Sequence, residues 1–128
     1  MQKTARIELP FPPSVNHTWC RSKRGGVFLS KKTRLFRLDV ASRILVAKGK
    51  GVLPKHSIPG DIRLKTEMRP PDRRVRDLDN YSKALWDALT HAGVWEDDRQ
   101  IKKDDRSWLD FDGKDKACTI LTLYWSEK

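Results

Sequence analysis

The stretch Asp61–Met68 constrains this chain more than any other. Ile62, Leu64, Thr66 and Met68 alternate strictly with Arg63, Lys65 and Glu67. Successive side chains of an extended chain point to opposite faces, so the pattern predicts a strand with one dry and one wet face. Such a strand belongs in a sheet covered on one side only. Thr4–Leu9 repeats the pattern, with Ile7 and Leu9 against Arg6 and Glu8. Pro10, Pro12 and Pro13 end it, because proline cannot extend a sheet ladder. Ala117–Trp125 is apolar on both faces, as expected of a central or an interface strand, and a weaker strand is expected over Gln100–Ser107.

Helices must supply the cover. Ser30 can cap a helix from about Lys31 to Ala47, with Leu35, Leu38, Ala41 and Leu45 as its apolar stripe. A second helix is expected over Asn80–Ala92, with Tyr81, Leu85, Ala88, Leu89 and Ala92 facing inward and Gly93 as its stop. Between the first strand and first helix, Thr18–Arg21 and Val27–Leu29 flank Ser22-Lys23-Arg24-Gly25-Gly26, a hairpin with a basic tip. Lys48–Gly60 carries Gly49, Gly51, Pro54 and Pro59 and reads as loop. The order β-ββ-α-β-α-β-β predicts a single two-layer α+β domain over residues 1–128. Its two main helices pack on a mixed, largely antiparallel sheet, and no repeat or linker divides it.

Charge narrows the partners. Twenty-seven Lys and Arg against seventeen Asp and Glu leave +10 at pH 7. That excess favours nucleic acid or an anionic membrane surface. No apolar run approaches the roughly 18 residues that span a bilayer, and the N-terminus lacks a signal-peptide core. The expectation is therefore a nucleic-acid partner in the cytoplasm and no membrane. Cys20 and Cys118 stand far apart and His17, His56 and His91 are scattered, which suits neither a zinc site nor a disulfide framework. Lys31, Lys32, Arg34 and Arg37 load the start of the first helix with charge that opposes its dipole. They either contact phosphate or form a solvated face.

Within this basic chain lies an acidic cluster. Asp72-Arg73-Arg74-Val75-Arg76-Asp77-Leu78-Asp79-Asn80 is followed by Lys83 and then by Trp95-Glu96-Asp97-Asp98. Asp77 and Asp79 are two apart, so in extended backbone both carboxylates can approach one ion. Magnesium takes hard oxygen ligands and keeps several waters, so two or three carboxylates suffice. Lys83, one helical turn after Asp79, can lean back over the helix start and meet a phosphate oxygen. Arg73, Arg74 and Arg76 supply the affinity for DNA backbone that the acids oppose. A helix of roughly 13 residues is about 20 Å long, so Asp98 joins these acids only if the next strand runs back beside the one before Asp77. The plainer alternative makes Asp79 an N-cap and Asp77 an ion-pair partner of neighbouring arginines.

These segments resemble the RusA family of Holliday junction resolvases of bacteria and their phages. The likeness begins at Pro10-Phe11-Pro12-Pro13-Ser14-Val15-Asn16 and runs through the arginine-rich stretch and Asp77-Leu78-Asp79-Asn80. It continues with Lys83-Ala84-Leu85-Trp86-Asp87-Ala88-Leu89 and closes on Ala92-Gly93-Val94-Trp95-Glu96-Asp97-Asp98. Val75 and Glu96 depart from the family pattern without removing a carboxylate or the lysine. The resemblance implies a homodimer that makes paired nicks in a four-way DNA junction with Mg²⁺. It implies Asp77, Asp79 and Asp98 as metal-holding acids, Lys83 as the essential lysine and Arg76 as its adjacent arginine. Lys23, Arg24, Lys31 and Lys32 are expected as further DNA contacts, and Ala117–Trp125 as the dimer strand. Two rival expectations are a flap or nicking metal nuclease and a non-catalytic DNA-binding module.

Overall fold

A computed structural model describes residues 1–14 and 18–127. Val15, Asn16 and His17 fall outside it, and with them the asparagine of the proline-rich opening. The elements in chain order are β1 (Gln2–Leu9), β2 (Trp19–Arg21), β3 (Val27–Leu29), α1 (Lys31–Gly49), β4 (Ile62–Arg69), α2 (Leu78–His91), β5 (Ile101–Trp108) and β6 (Cys118–Ser126). Four strands form one sheet in the order β1-β6-β4-β5, and β2 with β3 forms a separate hairpin. β6 runs antiparallel to both β1 and β4, whereas β4 and β5 are parallel. The mixed sheet and the α+β class are those the sequence predicts.

Alternation decides which face is covered. Ile7 stands opposite Leu121 in the β1–β6 register, and Leu64 stands opposite Leu123 in the β4–β6 register. These residues, with Leu9, Ile62 and Met68, are buried in one core with Phe36, Val40 and Ile44 of α1 and Leu85 and Leu89 of α2. Both helices therefore lie on the same side of the sheet. Arg6, Arg63 and Lys65 line the other side, exposed. β6 is the inner strand of the two antiparallel pairs, with both edges hydrogen-bonded, so it is a central strand of the sheet. Its odd-numbered side chains enter the core, while Ile120 and Tyr124 lie half-buried on the uncovered face.

Two local expectations are corrected. The buried face of α1 is Thr33, Phe36, Val40, Ile44 and Ala47, and not the Leu35, Leu38, Ala41, Leu45 stripe. Leu35, Leu38 and Leu45 are 55%, 66% and 72% exposed. The helix is apolar on two faces, and the aromatic and β-branched residues took the inner one. The second correction concerns the start of α2. Its N-cap is Asp77, whose side chain accepts from the backbone N–H of Asp79 at 3.0 Å. Asp79 already lies in the first turn.

The two helices run side by side in the same direction. Lys48, in the last turn of α1, donates to the Gly93 carbonyl just past α2 at 3.0 Å. At the opposite end Lys32 of α1 shares a cavity with Asp77, Asn80 and Tyr81 of α2. Both N-termini, the positive ends of the helix dipoles, thus meet at one edge of the molecule. Parallel pairing of β4 with β5 requires a crossover, which α2 supplies. Its start therefore lies beyond the carboxyl end of β4, where open α/β sheets place their ligands.

Candidate functional site

The loop between β4 and α2 is shaped by its own charges. Asp72 accepts from the Arg74 backbone N–H at 3.0 Å and pairs with Arg76 at 2.7 Å. The Arg74 backbone N–H, aided by the side chains of Arg74 and Arg76, pulls the Asp72 carboxyl down to a pKa of about 2. Arg76 is enclosed, with its side chain 6% exposed and its guanidinium over the Phe11 ring. Phe11 in turn packs against Tyr81 and Trp108, with ring centroids 5.2 and 6.1 Å away. Arg76 thus holds the loop from inside, with little of its side chain open to solvent. Arg74 projects outward with its side chain 79% exposed, and exposed Arg73 lies over the Phe111 ring. Lys23, Arg24, Lys31 and Lys32 are also exposed.

Beyond the cap, one face of α2 opens on a cavity of about 360 Å³ lined by Asp79, Ser82, Lys83, Trp86, Asp98 and Arg106. Asp79 and Asp98 therefore face one space together with Lys83. Asp77 lines the adjoining cavity of about 500 Å³, with Lys32 and Arg74. The turn carrying Asp98 is built by Gln100. Its amide oxygen accepts from the backbone N–H groups of Glu96 and Asp97, and its amide nitrogen donates to the Ile58 and Gly60 carbonyls. Trp95, 1% exposed, anchors the same turn and donates to Thr90. Among the described residues no group of three acids, histidines or cysteines is close enough to hold a metal ion by itself.

The strand after Asp98 does run back beside β4, as that acid's approach to α2 requires. Lys83 differs from expectation. Its ammonium lies 3.6 Å from Asp87, one turn further along α2, instead of leaning back over the helix start. The pair is exposed, and such pairs are weak enough for an arriving phosphate to displace.

Sequence reasoning missed a chain of side chains behind Asp79. Thr66 of β4 donates to Asp104 at 3.0 Å. Arg106 Nε lies 3.0 Å from the second oxygen of Asp104, and its terminal nitrogen reaches Asp79. The guanidinium also lies over the Trp86 ring, 5.7 Å from its centroid. Asp104 is 5% exposed, and burial pushes its pKa up against the opposing pull of Thr66 and Arg106. The signal was present: Asp104 and Arg106 are two apart in a strand and must share a face. Without the strand order that face could not be known to be the inner one.

The family model described as endodeoxyribonuclease RusA matches residues 10–106. A crossover junction endodeoxyribonuclease of Enterobacteria phage 82 is 42% identical over 98 residues, which is 77% of each chain. The protein of the same name from Escherichia coli K12 is 41% identical over the same share, and that from Shigella sonnei 40%. The matched span reaches from the proline-rich opening through the Asp79–Asp98 cavity to Arg106, and the chain belongs to the RusA family of endodeoxyribonucleases.

Proposed function

We propose that the chain resolves four-way DNA junctions by paired symmetric nicks, using Mg²⁺ to assist phosphodiester hydrolysis. The observation carrying this reading is that Asp79, Asp98 and Lys83 line one open cavity. It sits beside exposed arginines and two helix N-termini, so carboxylates and phosphate-binding groups adjoin. The donor set suits magnesium, which is held through one or two carboxylates and keeps its remaining waters. Asp79 and Asp98 would hold it, with Asp77 joining from the helix cap. When bound, the ion supplies Lewis-acid activation of water and of the phosphate.

The chain's own residues do the rest. Arg106 orients Asp79 from behind and lowers the net negative charge that DNA meets. Lys83 exchanges Asp87 for a phosphate oxygen and offsets charge developing there. Arg73, Arg74, Lys31 and Lys32 hold the backbone on either side, as phosphate contacts position a duplex without reading it. A four-way junction is close to two-fold symmetric, and two symmetric cuts need a two-fold dimer. The copy-to-copy contact is assigned to Leu35, Leu38 and Leu45 of α1, which are exposed aliphatic side chains on one face of that helix. Leu35 and Leu45 lie five residues either side of position 40, so an antiparallel second α1 brings Leu35 of each copy against Leu45 of the other and Leu38 against Ser42. Like its relatives from phage and bacteria, the enzyme would act on DNA in a bacterial cytoplasm.

The test is cleavage of a synthetic four-way junction with and without Mg²⁺. Asp77→Asn is the variant of choice, because asparagine caps a helix as well as aspartate. Wild type should cut only with the metal, and Asp77→Asn should bind but not cut. Full cleavage by the variant would sink the proposal. Cleavage of flap or linear duplex as fast as junction would instead point to a general branched-DNA nuclease.

A further inference from the structure

The β2–β3 hairpin is paired only with itself among the described strands. It is well fastened at both ends. At the tip, Ser22 and Gly26 close with a 2.7 Å hydrogen bond around Gly25, whose φ of +90° suits glycine. At the base, Ser30 donates to the Thr18 carbonyl at 2.8 Å while its buried side chain caps α1. Between these ends the hairpin carries aromatic surface that none of the described residues covers. Trp19 is 62% exposed and Phe28 45%. The four other tryptophans are buried or half-buried, so Trp19 stands apart. Trp19 pairs across the hairpin with Leu29 and Phe28 with Cys20, so the two rings look to opposite faces. Arg21, Lys23 and Arg24 lie alongside, all exposed.

Exposed aromatic faces interleaved with cations fit one chemistry well: unstacked nucleobases on a phosphate chain. A linear duplex hides its bases inside the stack. A four-way junction interrupts the stack where its arms exchange. The hairpin is also placed for such a contact. Its base leads directly into α1, whose Lys32 lines the cavity shared with Asp77 and Asn80. We propose that this hairpin enters the branch point, where Trp19 stacks on an exposed base and Phe28 meets a second on the other face. Arg21, Lys23 and Arg24 hold the flanking phosphates. The hairpin thereby makes the enzyme selective for branched over linear DNA. This rests on the junction-resolving reading above, but assigns selectivity to residues outside the acidic cavity.

The test is binding without metal, so that no strand is cut, to a junction carrying 2-aminopurine at its branch point. Wild type should change the probe's emission and prefer junction to linear duplex. Trp19→Ala should abolish that change and weaken junction binding about tenfold, while linear-duplex affinity moves less than about twofold. Trp19→Tyr should restore both signals. Lys23→Ala with Arg24→Ala should weaken junction and duplex alike. The hairpin proposal is overturned if Trp19→Ala keeps the emission change and the preference, or loses affinity for both DNAs equally. It is overturned too if Trp19→Ala converts a sedimenting dimer to monomer, which would give the ring to a second copy. A wild type that binds junction no better than duplex would overturn the junction reading itself.

Discussion

Helices α1 and α2 pack on the same sheet in the same direction, yet they use their surfaces differently. α2 has one apolar face, with Ala84, Leu85, Ala88 and Leu89 buried, and gives its polar side to the cavity through Asp79 and Lys83. α1 has two apolar faces. Phe36, Val40 and Ile44 enter the core while Leu35, Leu38 and Leu45 stay in water. A one-faced helix can be oriented from its sequence because burial has a single solution. A two-faced helix offers two, and only the shape of the sheet beneath chooses. The second face of α1 then stays in water, and it is the face to which the proposed copy-to-copy contact is assigned.

Substitutions can break or sharpen that contrast. The largest effect should come from the polar side of α2. Asp79→Asn should lower junction cleavage by about 10²–10³ or more, the scale on which loss of one group stabilising transition-state charge acts. Binding of uncut junction should survive, as measured by gel shift. Next come the inner faces. Leu85→Ala, at a fully buried position, should cost about 2–5 kcal/mol in denaturant unfolding. Leu38→Ala should change the protomer by no more than about 0.5 kcal/mol. Leu38→Asp with Leu45→Asp should nonetheless shift sedimentation toward monomer. A dimer unchanged by both would refute the role given to the outer face of α1.

The caps come third. Ser30→Ala at the start of α1 and Asp77→Ala at the start of α2 should each cost about 1 kcal/mol, whereas Asp77→Asn should be close to neutral. Smallest is a titration. Asp72 is depressed to about 2, so its contribution is present above its ordinary pKa near 3.8 and lost as pH falls through 2. A carboxyl NMR titration should place its midpoint there. Arg74→Ala should leave most of the depression, because the leading cause is the backbone N–H of residue 74 and not its guanidinium.

Much of this was legible in residue order. The strict alternation of β4 survives as one buried and one wet face, and Ser30 caps α1 where expected. Gly93, with φ of +81°, follows α2 as the predicted stop. The acids and lysine of the candidate site were legible too, since their spacing is local. The inward course of Arg76 was not legible, because an arginine's destination depends on what surrounds it, here the Phe11 ring and Asp72. Arg106 and Asp104 were missed because their partners, Thr66 and Asp79, are 38 and 27 residues away respectively, counting Asp104 to Thr66 and Arg106 to Asp79.

By itself the sequence determined the periodic elements, the Ser30 cap that begins α1, the basic hairpin and the candidate acids, because each rests on neighbours within a turn or two. The tertiary structure decided which face of α1 is inside, that β6 is an inner strand, and that Asp79 and Asp98 share one cavity while Asp77 opens on the next. Those outcomes depend on strand order and on competition between distant surfaces for the same core. Local periodicity carries no information about either.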